Sequence, residues 1–288
     1  MLPIKLTTLG TGTPRPEPTR HCSSTLLRIG DDHLLFDAGR GAVLQLAKTG
    51  VPWSALTRLF VTHHHLDHIG DLPDLLITSW INGRSRPMEV VGPPPTGAIV
   101  DLFLNQIYAR DIYFREKEFA AHGRPEMGSF AAPVVTDVLS GIVARTPNWT
   151  VKAYEVDHGQ SQFDSVFRRQ WTCLGYRIEI GDKVIAISGD TVRCDGLMEL
   201  AQDADLLLQC CWLPRVELTN DYLRAVAKHT LACSDVVGKI ATDARVKRLV
   251  LTHTRAVTPE SINAILADVR ADYSGQVSVA DDMQEFEA

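Results

Sequence analysis

The chain alternates between short apolar runs that end at polar clusters and longer segments with helical periodicity. Period-two alternation and runs of β-branched and aliphatic residues predict strands near 4–9, 24–29, 33–36, 57–61 and 88–91. Further strands are predicted near 151–156, 174–180, 183–188, 205–208 and 247–252. Helices are predicted over 41–49 (stopped by Gly50), over 69–80, and near 195–202, 221–227, 233–243 and 259–271. The segment 98–118 also reads as helical and brings aromatics at Phe103, Tyr108, Tyr113, Phe114 and Phe119. Prolines 93–95 make 92–97 a loop, because proline lacks a backbone donor and fixes φ. Gly and Pro punctuate 123–133, a candidate mobile cover. The order is a β-rich first half, an insertion around 98–135, and a second αβ half.

The polar clusters at the strand ends carry the chemistry. Leu59-Phe60-Val61 leads into Thr62-His63-His64-His65-Leu66-Asp67-His68-Ile69-Gly70-Asp71. Residues two apart in extended chain point to the same side, so His63 and His65 can grip one ion together. Asp67 and His68 follow a turn and can address a second. Imidazole with carboxylate suits zinc and similar divalent ions rather than calcium or magnesium alone. A solvated histidine tract is the alternative, but it would need neither Asp67 nor Gly70-Asp71. Three other runs follow the same grammar, ending at Asp157-His158-Gly159, at Gly189-Asp190-Thr191 and at His253. The run before His253, Arg248-Leu249-Val250-Leu251-Thr252, nearly repeats Arg58-Leu59-Phe60-Val61-Thr62 before His63. In α/β proteins ligands collect at the C-terminal ends of strands. Four strand ends offering only His and Asp fit a metal centre better than a set of packed or capping side chains.

These motifs resemble the metallo-β-lactamase superfamily, whose marker is H-x-H-x-D-H followed by a distant His, Asp and His. Thr8-Leu9-Gly10-Thr11-Gly12-Thr13-Pro14, Leu35-Phe36-Asp37-Ala38-Gly39, Ser188-Gly189-Asp190-Thr191 and His229-Thr230 resemble its arylsulfatase-like and ribonuclease Z-like branch. The resemblance spans about residues 4–255. It implies an α/β fold, the four-layer αββα metallo-β-lactamase sandwich, formed by 1–288 as a single domain with the insertion inside it. The strand–His echo suits such a two-halved sandwich. The resemblance also implies two Zn2+ ions, with Mn2+ or Fe2+ as the other ions such ligands accept. His63, His65 and His158 would hold one metal, and Asp67, His68 and His253 the other, with Asp190 bridging. Two cations roughly 3.5–4 Å apart can share a hydroxide as nucleophile and stabilise attacking and leaving oxygens. Asp67 would orient that hydroxide as well as bind metal. His64, between two ligands, is expected to point away in a structural role.

Composition narrows the setting. With 288 residues, 45% hydrophobic and 22% charged, the chain can bury the core of a globular enzyme. No apolar run is long enough to span a bilayer, and Met1-Leu2-Pro3-Ile4-Lys5 leads straight into a strand. No membrane association or signal peptide is expected, and the expected location is cytoplasmic. The six cysteines form no C-x-x-C pair, which argues against a zinc finger or redox motif and for reduced thiols.

The substrate is the least legible part. A net charge of −6 and a pI near 5.9 argue against nucleic acid, which relies on concentrated Lys and Arg. Ribonuclease Z carries a His-Glu-Ala-Thr element after a strand; here the position reads Gln209-Cys210-Cys211-Trp212, without the Glu. His229 remains a candidate general acid, with a capping or loop histidine as the alternative. Phe163, Phe167 and Trp171 after His158, together with the 103–119 aromatics, could wall an apolar pocket for an aryl or acyl group, or equally pack the insertion or a homodimer contact. His21 could approach the site from the N-terminal side; His33 and His122 are expected to face solvent. The reading is a dinuclear zinc hydrolase cleaving a small-molecule ester-type bond (aryl sulfate, carboxyl ester, lactone or phosphodiester), with nucleic acid disfavoured. A ribonuclease Z-type transfer-RNA 3′ endonuclease or phosphodiesterase is the alternative within hydrolases. A flavo-di-iron-like oxidoreductase would need a flavin domain, for which no room is expected after His253. A non-catalytic metal-binding module would be expected to have lost ligands.

Overall fold

In the computed structural model, which describes residues 2–123 and 129–287, period-two alternation divides each central strand between two cores. Six strands, β1 (Ile4–Gly10), β2 (Ser24–Ile29), β3 (Asp32–Phe36), β4 (Leu56–Phe60), β5 (Glu89–Gly92) and β6 (Val134–Asp137), build the first sheet. The second contains β7 (Gly141–Arg145), β8 (Thr150–Val156), β9 (Cys173–Ile180), β10 (Lys183–Ile187), β11 (Leu206–Cys210), β12 (Arg248–Thr252) and β13 (Gln276–Val279). The last strand, β14 (Gln284–Glu287), returns to pair antiparallel with β1. The sheet orders are β14-β1-β2-β3-β4-β5-β6 and β13-β12-β11-β10-β9-β8-β7.

Helices cover the outer faces: α1 (Ala42–Lys48), α2 (Leu66–Ile69), α3 (Leu72–Ile81), α4 (Thr96–Leu102) and α5 (Ala109–Ala121) in the first half. In the second half they are α6 (Ser165–Gln170), α7 (Asp195–Ala201), α8 (Asp221–His229), α9 (Ser234–Asp243) and α10 (Pro259–Asp272). Leu34, Phe36 and Phe60 of one sheet pack against Tyr176, Ile185 and Ile187 of the other, forming the inner core. The neighbouring residues Leu35 and Leu59 face outward onto α1 and α3, while Ala186, Leu249 and Leu251 face α7, α9 and α10. This is the αββα sandwich in two mixed sheets. Tyr176 ties the sheets together by donating its hydroxyl to the Val61 carbonyl at 2.6 Å.

Both sheets repeat one scheme. Pairings are antiparallel from β14 to β3 and from β7 to β10, then parallel from β3 to β6 and from β10 to β13. The sequence echo does not fall on equivalent strands, however. His63 follows β4, the second strand of its parallel run, whereas His253 follows β12, the third. The echo therefore reflects the same arrangement, a buried strand ending at a histidine, and not the register of the repeat.

The central strands and most helices fall where periodicity predicts them. Among the differences, 98–118 is not one continuous helix: a π turn at Phe103–Ile107 separates α4 from α5. Helix α4 begins inside the predicted loop, at Thr96, whose hydroxyl donates to Pro93 O at 2.6 Å. The segment after His158 contains α6, capped by Asp164 accepting from Val166 N and Phe167 N. Strands β6, β7, β13 and β14 escape the pattern because they are short edge strands with almost entirely exposed or half-exposed residues. Of the proposed cover at 123–133, residues 124–128 lie outside the described residues. No helix among the described residues is long and apolar enough to cross a membrane.

Although β14 is short, its Phe286 is buried in the inner core and lies beneath the Arg248 guanidinium, 5.1 Å from the ring centroid. Phe286→Ala should therefore cost about 3–5 kcal/mol of stability, read from denaturant unfolding. An unchanged midpoint would mean that β14 stands outside the cooperative core.

Candidate metal centre

Strand ends from both sheets converge on one buried cluster. After β4 the chain continues through Val61 and Thr62 to His63, and α2 then carries Asp67 and His68. His158 follows β8, Asp190 follows β10, and His253 follows β12. The structure brings all seven predicted metal residues together. His65 Nδ1 lies 2.9 Å from His63 Nε2 and 3.2 Å from His158 Nε2. On the other side, Asp67 Oδ2 lies 3.0 Å from His253 Nε2 and 3.6 Å from His68 Nε2. Asp190 stands between these groups, its Oδ2 3.1 Å from His253, 3.5 Å from His68 and 3.8 Å from His158.

The outer nitrogens of the rings are held as well. His158 Nδ1 donates to the Thr230 carbonyl at 2.7 Å, which leaves Nε2 free to offer its lone pair inward. His68 Nδ1 lies 2.7 Å from Asp37 Oδ2, and His63 Nδ1 lies 3.0 Å from Thr62 Oγ1. Asp37 also accepts from Thr62 N at 2.7 Å and Thr62 Oγ1 at 2.8 Å, so one carboxylate fixes both the strand end and the ring. Asp37 and His253 both have positive φ, 59° and 51°. Such backbone costs on the order of 1–3 kcal/mol per residue and persists where surrounding bonds over-determine it.

The donors fit divalent cations. His68 Nε2 and Asp190 Oδ1 are buried without a hydrogen-bond partner, an arrangement that is costly unless something else meets them. Three groups of donors each converge within 4.8 Å: His63, His65 and His158; His63, His68 and Asp190; Asp67, His68 and His253. All are nitrogen or carboxylate oxygen, a set suited to zinc, manganese or iron. The cysteines contribute nothing to the cluster. Cys210 bonds Thr191 O, and burial, with the Asp190 charge adding to it, pushes its thiol up to about 12.

Electrostatics divide the cluster. Burial holds His63 well below the ordinary histidine pKa, and neighbouring imidazoles add to the effect. Burial likewise lowers His158, and lowers His65 to about 4. Burial also opposes charge on His68, but the Asp190 and Asp37 carboxylates outweigh it and raise this group well above the usual value. For Asp190, burial favours the neutral acid, yet the surrounding histidines, His253 and His68 foremost, hold the carboxyl well below its ordinary range. One side thus offers neutral nitrogen donors and the other an anionic pair.

The other candidates separate clearly. His64 turns away, its Nε2 2.8 Å from Thr96 Oγ1, as expected for a structural residue. His21 does not approach the centre: its Nδ1 lies 2.8 Å from Asp282 Oδ2 and it lines a different cavity beside Gly41. His122 is exposed and His33 half-exposed. His229 ends α8, one residue before Thr230; its half-buried imidazole makes no hydrogen bond among the described residues. Trp171 reaches the cluster, its ring 4.9 Å from that of His65, while Phe163 and Phe167 meet at a tilt at the surface. Sequence reasoning passed over Asp37 as a site residue, although it directly follows β3 by the same strand-then-carboxylate grammar. It also passed over Arg15 and Arg255. These two line a cavity of about 580 Å³ in front of the cluster, with Trp212 and Tyr222 on its walls. The Arg255 guanidinium lies 5.5 Å from the Trp212 ring centroid and, like that of Arg15, has no carboxylate partner among the described residues.

Comparison with known proteins agrees with this geometry. The pattern of the metallo-beta-lactamase superfamily matches residues 18–153. Ribonuclease Z of Mycobacterium bovis (strain BCG / Pasteur 1173P2) is 30% identical, with 99% of this chain and 98% of that protein covered. The crystal structure of human tRNase Z, short form, superposes with a TM-score of 0.68 at 25% identity, covering 98% of each chain. The metallo-beta-lactamase fold protein YhfI from Bacillus subtilis shares the fold, with a TM-score of 0.75 at 19% identity and full coverage of both chains. Relatives named for acting on RNA thus match almost end to end, which overturns the expectation of a small-molecule partner with nucleic acid disfavoured. That expectation failed because a net charge of −6 averages the whole surface, whereas two arginines without carboxylate partners stand at the cleft.

Asp37→Asn removes the charged acceptor behind His68 while keeping the side chain's shape. Partners of this kind are typically worth about 10–100-fold in metal affinity. Competition with a chromophoric chelator should show that loss for zinc, with the far-UV circular dichroism unchanged. Wild-type affinity in the variant would contradict the role given to Asp37.

Proposed function

The chain belongs to the metallo-β-lactamase superfamily, in its ribonuclease Z-like branch, and is a metal-dependent hydrolase; from that premise we propose that it hydrolyses RNA as a ribonuclease Z-type transfer-RNA 3′ endonuclease. The observation that carries the reading is a seven-donor cluster opening into a cleft with two arginines free of carboxylate partners on its wall. In this reading His63, His65 and His158 would hold one zinc ion, and Asp67, His68 and His253 a second, with Asp190 available to both. Bound there, two such cations lower the pKa of a water and neutralise charge on attacking and leaving oxygens.

The chain's own residues supply the rest. Asp67, held by His253, orients the water that attacks phosphorus. Arg255 and Arg15 take the non-bridging phosphate oxygens, a task suited to guanidinium groups whose charge is not already matched. Tyr222, largely exposed on the cleft wall, offers an aromatic face on which an unstacked base can rest, the usual way of holding single-stranded RNA ends. Water forms the new P–O bond and gives up a proton to solvent, the bond to the ribose oxygen breaks, and a protonated His229 donates a proton to that oxygen. The missing Glu of the His-Glu-Ala-Thr element leaves His229 without the carboxylate partner of that pattern, so its proton transfer relies on its place beside Thr230. A reducing cytoplasm suits this reading and agrees with six free cysteines.

Zinc-loaded protein should cut a transfer-RNA precursor at its 3′ trailer, and Asp190→Ala should abolish the cut. Hydrolysis of aryl esters with no cleavage of the precursor would contradict the reading. His229→Ala should slow cleavage of the precursor by about 10²–10⁴-fold, the usual worth of general acid catalysis. It should spare bis(p-nitrophenyl) phosphate, whose leaving group needs no proton. Equal losses on both would assign His229 a structural role.

A further inference from the structure

Helix α8 separates two cavities. Tyr222, Val226 and Thr230, spaced four residues apart on one side of it, line the cleft in front of the metal cluster. Arg224, Ala227 and Lys228 occupy the opposite side and line a second cavity of about 500 Å³. Arg193 and Arg215 complete its basic wall, and Asp235 is the one carboxylate in the lining. This is a concentration of positive charge in a chain whose net charge is −6.

The cations are not equally available. Arg193 is held by Asp243 at 2.8 Å, and Arg224 by Asp221 at 2.8 Å and the Leu218 carbonyl at 2.9 Å. Arg215 and Lys228 are exposed, and their side chains have no ion-pair partner among the described residues. Nothing in the hydrolytic centre uses either of them. A helix is about 10–12 Å across with its side chains, so a strand leaving the cleft crosses α8 within a few nucleotides.

We propose that the groove behind α8 is a phosphate track for the RNA flanking the scissile bond, with Arg215 and Lys228 as its principal contacts. The inference rests on the reading of the centre as an RNA hydrolase. Charge complementarity selects the occupant, because two exposed cations without ion-pair partners among the described residues, Arg215 and Lys228, are answered better by a polyanion than by a neutral or cationic partner. Only the width of α8 lies between this wall and the cleft, so a strand bound at the centre reaches it within a few nucleotides, which makes that polyanion the substrate itself. Contacts of this kind position the strand without reading its sequence.

The test uses the zinc-loaded full chain, an Arg215→Ala/Lys228→Ala double variant, and two probes: a transfer-RNA precursor and bis(p-nitrophenyl) phosphate. Losing two phosphate contacts should make the log–log salt dependence of RNA affinity shallower by about 1.4, at about 0.7 per contact for single strands. KM for the precursor should rise while turnover of the small probe is unchanged, and Arg215→Lys should keep the wild-type slope. An unaltered salt slope and KM would overturn the track while leaving the centre's RNA reading intact. Parallel losses on both probes would show an effect on the centre itself and would also overturn it. Failure of the wild type to bind or cut RNA would remove the underlying reading, and the track with it.

Discussion

A carboxylate buried among imidazoles at the junction of two sheets is the constraint around which this molecule is organised. Asp190 is 3% exposed, one of its oxygens has no partner, and the other faces nitrogens of His68, His158 and His253. Taking a lone carboxylate out of water costs several kcal/mol, so such a group persists only where cations answer it. The turn that delivers it is correspondingly restricted. Gly189 has φ 61°, and a Cβ there would meet the Leu174 carbonyl oxygen at 2.6 Å and Thr62 at 3.2 Å. Only glycine fits between β9 and the Thr62 side chain, so packing of the sheets and placement of the carboxylate are one problem.

The histidines show how the fold maintains a geometry that repulsion between ligands would otherwise open. His158 is pinned by a backbone carbonyl from the segment after α8, and His68 by a carboxylate from the end of β3. Each ring is thus oriented by an element other than its own. Thr62 links two of them, because its hydroxyl lies within reach of both His63 and His68 while bonded to Asp37. Loss of any one anchor would free a ring and loosen both halves of the cluster.

The sequence was most readable where a single period governs a residue. Buried strands such as β10 and β12 announce themselves by continuous apolar runs, and the first Asp or His beyond each run, Asp190 and His253, reads as a candidate ligand by position. Edge strands β6 and β14 have no such signal, because solvent on one side permits polar residues at any position. The π turn at Phe103–Ile107 was invisible because it preserves helical composition while changing the hydrogen-bond register. Asp37 went unrecognised as a site residue because a carboxylate that holds a ligand looks, in sequence, like one that caps a strand. Charge was misread for a different reason. A sum over 288 residues carries no information about where the unpaired arginines lie, and their positions at the cleft depend on loops and helices distant in sequence. His21 illustrates the same limit: proximity to the N-terminal loop suggested the centre, while Asp282 near the far end of the chain draws it elsewhere.

X-ray absorption at the zinc edge on the metal-loaded protein tests the central claim most directly. The account predicts nitrogen and oxygen neighbours at about 2.0–2.2 Å with no sulfur, and a second zinc at about 3.5–4 Å. A sulfur shell near 2.3 Å, or a spectrum with no metal neighbour at full occupancy, would contradict a dinuclear centre built from these seven residues.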